Sequence, residues 1–289
     1  MTTLLTILFD GAAYGMLLFV ISCGLAVTLG LMNFVNLAHG AFAMAGGYVC
    51  AVLVNQFGWP FAAGLPMAFL ASAAAGLVME RLFYRHLYDR PHLDQVLFTI
   101  GLVFMAVTVA DYIMGSSQIF IGIPDALQGQ INLFGIGVGR YRLMIIVICG
   151  LLTLCLQLIL SRTRFGRRLR AAVDDPRAAS GLGINVPQVF AFTFAFGCGL
   201  AGLGGALGAE ILGLDPYFPL KFMIYFLIVV TVGGASSMTG PFLASLLLGI
   251  GDVAGKYYVP KMGPFVIYTI MIVILIWRPN GLFGRTAAR

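Results

Sequence analysis

Asn33, Asn36 and His39 form the densest group of chemically capable side chains inside the apolar body of this chain, spaced three and three residues apart. On a helix that spacing puts all three on one face, where amide and imidazole groups would present donors and acceptors to a passing polar solute. The competing reading is structural, with the same groups satisfying backbone freed by a broken helix. No second His or Cys stands at ligand spacing, so a metal site is not indicated. Asp111, Glu210 and Asp252 lie near the ends of apolar runs, where snorkelling or capping is the ordinary role of a carboxylate. The five cysteines fall in apolar runs without a CxxC pair and read as small buried hydrophobes. No GxSxG, HExxH or Walker A motif occurs. The nearest approach to a phosphate loop, Gly255-Lys256-Tyr257, lacks the hydroxyl residue and the earlier glycine. The chain offers groups to contact a solute and none arranged for catalysis, so it is not expected to be an enzyme.

A second candidate stretch is the uncharged break at residues 233–241, GGASSMTGP. Non-helical backbone persists at membrane depth only where protein or a water-filled cavity satisfies it, and discontinuous helices build transport sites in many carriers. An ordinary loop between two helices is the alternative. The two stretches together give Asn33, Asn36, His39, Gly233, Gly234, Ser236, Ser237 and Thr239 as candidates for lining a translocation path.

The elements that must position these groups are membrane helices. Sixty per cent of the 289 residues are hydrophobic and 10% are charged, against about 25% charged in a soluble domain. Mean hydropathy is +0.98. Such a chain is an all-α polytopic membrane protein. Apolar runs are read at 9–31, 37–57, 61–79, 96–114, 143–160, 189–209, 222–232, 242–255 and 264–277. They predict eight to nine transmembrane segments, including broken or re-entrant helices around 222–255. Trp59-Pro60 marks an interface, and 116–142 reads as a loop. The start, MTTLLTILFD, lacks the pattern of a removable signal peptide. In GCGLAGLGGALG, residues 197–208, small residues recur at spacings of three and four, and Gly204 and Gly208 form a GxxxG; such a face permits close helix packing, within the chain or at a subunit or gating interface.

The net charge of +6 does not suggest nucleic acid, because the basic residues sit in short loops. Twelve of the 17 fall in 80–95, 161–188 and 278–289. The positive-inside rule makes these segments cytoplasmic, with the N-terminus periplasmic and the C-terminus cytoplasmic. The longest polar interruption, 161–188, carries six arginines and the adjacent Asp174 and Asp175. It reads as a cytoplasmic loop with a short helix, exposed so that another protein can push on it.

Four stretches carry a family resemblance: NLAHGAFAMAGGY (36–48), AAVDDPRAASGLGINVPQVFAFTFAFGCGLAGLGGALG (171–208), VGGASSMTGPFLASLLLGIGD (232–252) and WRPNGLFG (277–284). In order and spacing the chain resembles the permease subunit of bacterial ABC importers for branched-chain amino acids and related compounds. The resemblance covers essentially the whole chain and implies a single transmembrane permease domain over 1–289. It implies half of a translocation pathway for branched-chain amino acids or a related small polar or organic acid, in the bacterial inner membrane. The implied partners are a second permease chain, with a heterodimer expected, two cytoplasmic ATPase subunits and a periplasmic substrate-binding protein. No cofactor is expected on this chain; ATP and Mg would be held by the partner ATPases.

By the same resemblance, the coupling helix that seats on the ATPase lies within Asp174, Asp175, Pro176, Ala178, Ala179, Gly181, Leu182, Gly183, Ile184 and Asn185. Local chemistry agrees: Pro176 after two acids suits a capped helix start, and Gly181-Leu182-Gly183 suits its end. The arginines at 162–170 then read as a membrane-surface anchor. Pro219 is followed by Leu220 and Lys221 where members of the family often carry glycine. An ion-coupled secondary carrier or channel is the alternative class. It would want intramembrane acids as coupling sites, and the mid-membrane runs offer almost none.

Overall fold

The computed structural model describes residues 2–30, 32, 34–88, 90–133, 136–234 and 238–283. Every apolar run is a helix: α1 (Thr2–Gly30), α2 (His39–Asn55), α3 (Phe61–Leu82), α4 (His92–Met114), α5 (Arg140–Arg162), α8 (Val186–Leu212), α9 (Phe218–Gly233), α10 (Thr239–Tyr258) and α11 (Gly263–Trp277). Two short helices, α6 (Arg164–Asp174) and α7 (Pro176–Gly181), occupy the arginine-rich segment. Among the described residues α1, α3, α4, α5 and α8 are long and apolar enough to cross a membrane, and α2, α9 and α11 are shorter apolar helices. The chain is a multi-pass, all-α membrane protein.

Helix ends depart from the hydropathy runs where a charge is paired. α1 begins at Thr2, seven residues before its expected apolar run, and Asp10 within it forms an ion pair with Arg142 at the head of α5. The expected loop at 116–142 contains a small antiparallel hairpin, β1 (Gln130–Leu133) with β2 (Ile136–Gly139), in which Ile131 faces Val138 across the ladder. Four-residue strands leave too little alternation to be read from sequence.

α8 is the hub, with α1, α2 and α3 packed around it. Its glycines set the spacing. A Cβ at Gly46 of α2 would stand 2.3 Å from Gly202 Cα, and one at Gly205 would stand 1.9 Å from the Ala43 carbonyl oxygen. In lipid, where tails are as apolar as leucine, this backbone-to-backbone approach supplies the association energy through dispersion. The small-residue stripe at 197–208 is therefore used inside the chain. α10 covers a further face of α1, running antiparallel to it, and α9 and α11 lie beside α10.

α1 and α8 are mostly buried, whereas α4 and α5 expose Phe104, Met105, Val109, Leu151 and Leu154 to surroundings that must be lipid or another chain.

Candidate transport site and coupling element

The first break in the helical ladder runs from Phe34 to Ala38, between α1 and α2. It is non-helical, yet Phe34, Asn36 and Ala38 are buried. Buried backbone polar groups need partners, and each one comes from a specific residue. Phe34 N–H donates to the Thr28 carbonyl at 3.1 Å. Val35 N–H donates to Gln95 Oε1 at 3.1 Å, and Gln95 Nε2 in turn donates to the Leu87 and Arg90 carbonyls. Asn36 Oδ1 accepts from Ala38 N–H at 3.1 Å and from the Tyr84 hydroxyl at 3.2 Å. Tyr84 is fully buried, edge-on to Phe34 and Phe98 and tilted against Phe194, so its hydroxyl is aimed by packing.

His39 opens α2. Its Nε2 lies 2.8 Å from the Ile21 carbonyl oxygen of α1. A carbonyl only accepts, so Nε2 carries the proton. The imidazole fits because residue 24 is glycine: a Cβ there would stand 2.6 Å from His39 Cε1 and 2.6 Å from the Gly197 carbonyl oxygen. His39 therefore ties the first turn of α2 to the middle of α1, directly above the α1–α8 contact.

The expectation that Asn33, Asn36 and His39 share one helix face does not hold. The helix starts at His39, so Asn36 lies in the break and acts as its hydrogen-bonding pivot; Asn33 lies outside the described residues. Asn36 and His39 are 0% and 2% exposed and spend their polar atoms on backbone or on Tyr84. Asn36 Nδ2 is buried without a hydrogen-bond partner.

The second break separates α9 from α10. α9 ends at Gly233, and Gly234 follows with φ +85°. Gly233 packs against the head of α10 so tightly that a Cβ there would stand 2.3 Å from Pro241 N. A helix end leaves its last carbonyls without partners. Two of these are taken by the chain beyond α11: Leu282 N–H donates to the Val232 carbonyl at 2.8 Å and Phe283 N–H to the Gly233 carbonyl at 3.3 Å. The turn that delivers them runs from Arg278 to Gly281, which sits at φ +80° against Thr231 and Gly234. Two of the sequence stretches singled out above, 232–252 and 277–284, are thus one structural joint. Thr239, exposed at the head of α10, lines a cavity of about 50 Å³ with Gln157 and Phe242. Ser236 and Ser237 lie outside the described residues.

The two breaks meet on α1. His39 bonds Ile21, and Phe242, three residues into α10, sets its ring edge-on to Phe19 at 5.3 Å. Two residues of helix are about 3 Å of rise, so both discontinuities lie at nearly the same height on different faces of α1.

The candidate coupling segment is more ordered than a loop with one helix. α6 starts at Thr163, whose Oγ1 accepts from Gly166 N–H at 3.3 Å. Its Arg170 is not a surface anchor alone, since its guanidinium donates to the Leu160 carbonyl and closes the end of α5. Asp175 caps α7, its Oδ1 accepting from Arg177 and Ala178 N–H at 2.9 and 3.0 Å, with Pro176 at the first helical position. Gly183 ends it at φ +81°: Gly183 N–H bonds the Ser180 carbonyl and Ile184 N–H bonds the Ala179 carbonyl, the paired bonds of a Schellman motif. Asn185 then caps α8 through Gln188 N–H. Ala179 and Ile184 pack with Leu169, Ala172, Val186 and Val189 in one small core.

The candidate coupling residues therefore divide. Asp175, Pro176, Ala179, Gly183, Ile184 and Asn185 build and seat α7 and the turn into α8. Ala178, Gly181 and Leu182 face outward, with Leu182 83% exposed, and Asp174 is exposed at the end of α6.

Sequence reasoning missed Tyr84 and Gln95, which lie 48 and 60 residues from the atoms they bond. It also read Asp252 as an interfacial group. Asp252 has no exposed side-chain surface and is ion-paired with Lys256 one turn on, a spacing of four that was a usable signal. Pro219 occupies the first turn of a regular α9, and Lys221 behind it pairs with Asp215.

A family profile described as "Branched-chain amino acid transport system / permease component" matches residues 7–275. The chain is 27% identical to the high-affinity branched-chain amino acid transport system permease protein LivH of Escherichia coli (strain K12), over 96% of this chain and 94% of that one. It is 27% identical to the corresponding protein BraD of Pseudomonas aeruginosa, over 96% and 95%. To the permease protein LivM of Escherichia coli (strain K12) it is also 27% identical, over 96% of this chain and 70% of that one. No solved structure matches it. With the profile spanning nearly the whole helical bundle, the chain belongs to the family of branched-chain amino acid transport system permease components.

Proposed function

We propose that this chain is one of two permease subunits of an ABC importer for branched-chain amino acids or closely related small molecules. Its pair is a different permease chain, a reading supported by its likeness to relatives named LivH and to others named LivM. ATP and Mg are held by two separate cytoplasmic ATPase subunits, and a periplasmic binding protein delivers substrate. The chain sits in the bacterial inner membrane with its N-terminus periplasmic and its C-terminus cytoplasmic, a reading supported by the distribution of basic residues. The two breaks beside α1 flank the pathway. His39, Asn36, Gly233 and Gly234 hold the broken backbone there, and Thr239, Ser236 and Ser237 are the candidates for solute contact.

The observation that carries this reading is α7. A six-residue helix capped at both ends, seated on its own small core and presenting Leu182 to solvent, has the build of a rigid docking lever. An exposed apolar side chain at the tip of a charged segment costs free energy unless a partner covers it. In proteoliposomes holding both permeases and both ATPases, with binding protein supplied, L-leucine uptake should require ATP. Leu182→Glu should leave assembly of the permease pair intact and cut ATP-driven uptake at least tenfold. Uptake that persists without ATPase subunits, or in full with Leu182→Glu, would overturn the reading.

A further inference from the structure

A cavity of about 520 Å³ opens at the end of the bundle opposite α7, where α1, α5, α8, α9 and α10 converge. That volume lies within the range of about 300–1,000 Å³ typical of small-molecule sites. Its charged wall carries both signs: Asp10, Arg142, Lys221, Asp252 and Lys256. Three ion pairs meet there, Arg142 with Asp10, Lys221 with Asp215 and Lys256 with Asp252. Each cation keeps unused donors, since a guanidinium has five N–H groups and an ammonium three. The side chains of Arg142, Lys221 and Lys256 are each about half exposed.

Asp252 is the anomaly. Its side chain has no exposed surface; one oxygen pairs with Lys256, and Oδ1 is buried without a hydrogen-bond partner. A buried carboxylate oxygen left open is expensive, and such exceptions call for an explanation. A ligand cation supplies one. The same cavity is also lined by the apolar side chains of Ile211, Leu212, Phe222 and Val253.

We propose that this cavity is an entry site for a zwitterionic, aliphatic α-amino acid on the periplasmic side of the pathway. The ammonium group takes the open oxygen of Asp252. The carboxylate takes the spare donors of Arg142 and Lys256, and the side chain lies on the Leu212–Val253 wall. The inference rests on the transport reading above and adds a specific receiving site to it. Neither charge sign nor apolar surface alone explains the lining, because a simple anion leaves Asp252 open and a simple cation leaves the spare donors of the half-exposed Arg142 and Lys256 unused.

The test uses the complete importer, permease pair with ATPases, in nanodiscs without binding protein. Saturation-transfer NMR compares three probes: L-leucine, leucinol, which lacks the carboxylate, and 4-methylpentanoate, which lacks the amine. L-Leucine should show saturable contact, and each analogue should bind at least tenfold more weakly. Asp252→Asn should weaken L-leucine at least tenfold while leaving the weak binding of 4-methylpentanoate unchanged. Val253→Trp, at a position that is not fully buried, decides the matter if Asp252→Asn fails to assemble; it should abolish contact by filling the cavity. Equal binding of all three probes, or unchanged L-leucine binding in Asp252→Asn or Val253→Trp, overturns the site. ATP-driven uptake by the unaltered importer is measured alongside. If uptake is normal and the variants bind like wild type, the entry site is wrong and the transport reading stands; if the unaltered importer shows no ATP-driven uptake, the transport reading itself has failed.

Discussion

Replacing Gly205 with alanine tests the idea that backbone contact on α8 fixes the height of the first break. The added methyl would stand 1.9 Å from the Ala43 carbonyl oxygen, 2.6 Å from its carbon and 3.1 Å from its Cα. All three atoms are backbone of α2, so no side chain can rotate away. Reaching van der Waals contact near 3.4 Å requires α2 to retreat by about 1.5 Å. Overpacking of this kind costs about 1–3 kcal/mol. At roughly 2–4 °C per kcal/mol for a chain of this size, the melting temperature should fall by roughly 2–12 °C.

The same retreat has a second consequence. His39 sits four residues before Ala43 on α2, and its 2.8 Å bond to Ile21 would stretch past the limit of about 3.5 Å at which a hydrogen bond survives. Uptake should therefore fall even at temperatures where the protein is folded. Gly101→Ala on α4 is the matched control. No atom lies within 4 Å of its Cβ position, so helix propensity alone acts and stabilises by about 0.5–1 kcal/mol. Thermal unfolding in nanodiscs and ATP-driven uptake read the two effects. A Gly205→Ala protein that melts with wild type and transports normally would refute the account of α8 as a backbone-spaced hub.

Two further substitutions probe the other joints. Asp175→Ala removes the cap that accepts from Arg177 and Ala178 and should destabilise α7 by about 1 kcal/mol; the permease pair should still assemble, while amide hydrogen exchange across 176–182 accelerates and leucine-stimulated ATP hydrolysis falls. Gly281→Ala places a Cβ 2.6 Å from Gly234 N and Thr231 O at a backbone φ of +80°. It should release the chain after α11 from the end of α9, seen as faster proteolysis beyond Trp277, and unaltered cleavage there would argue that the joint does not depend on that turn.

Much of the architecture was legible because lipid imposes a simple rule: a spanning segment must satisfy its own backbone and present apolar side chains. The nine apolar runs, the arginine-rich interruption, the caps at Asp175 and Gly183 and the absence of a catalytic motif all follow from local composition and spacing. The family could be read as well, from four ordered stretches. The ends of α7 were legible to within a residue or two, at Asp174-Asp175 and at Gly181-Leu182-Gly183, because capping is a matter of neighbours in sequence. α6 was not expected, since its six-arginine neighbourhood masks a stripe of Leu169 and Ala172 that acquires meaning only against Val186 and Val189.

What the sequence by itself determined, then, is whatever depends on residues within a turn or two of each other: helices, caps and breaks. Tertiary structure alone decided the partners of the broken backbone. Tyr84 reaches Asn36, Gln95 reaches Val35, the chain after α11 closes α9, and Asp10 pairs with Arg142 across 132 residues. The physical reason is that an orphaned carbonyl or a buried carboxylate announces a need without naming what meets it. In an apolar chain with few polar groups, only the packing of helices at glycine-set distances selects which distant donor arrives.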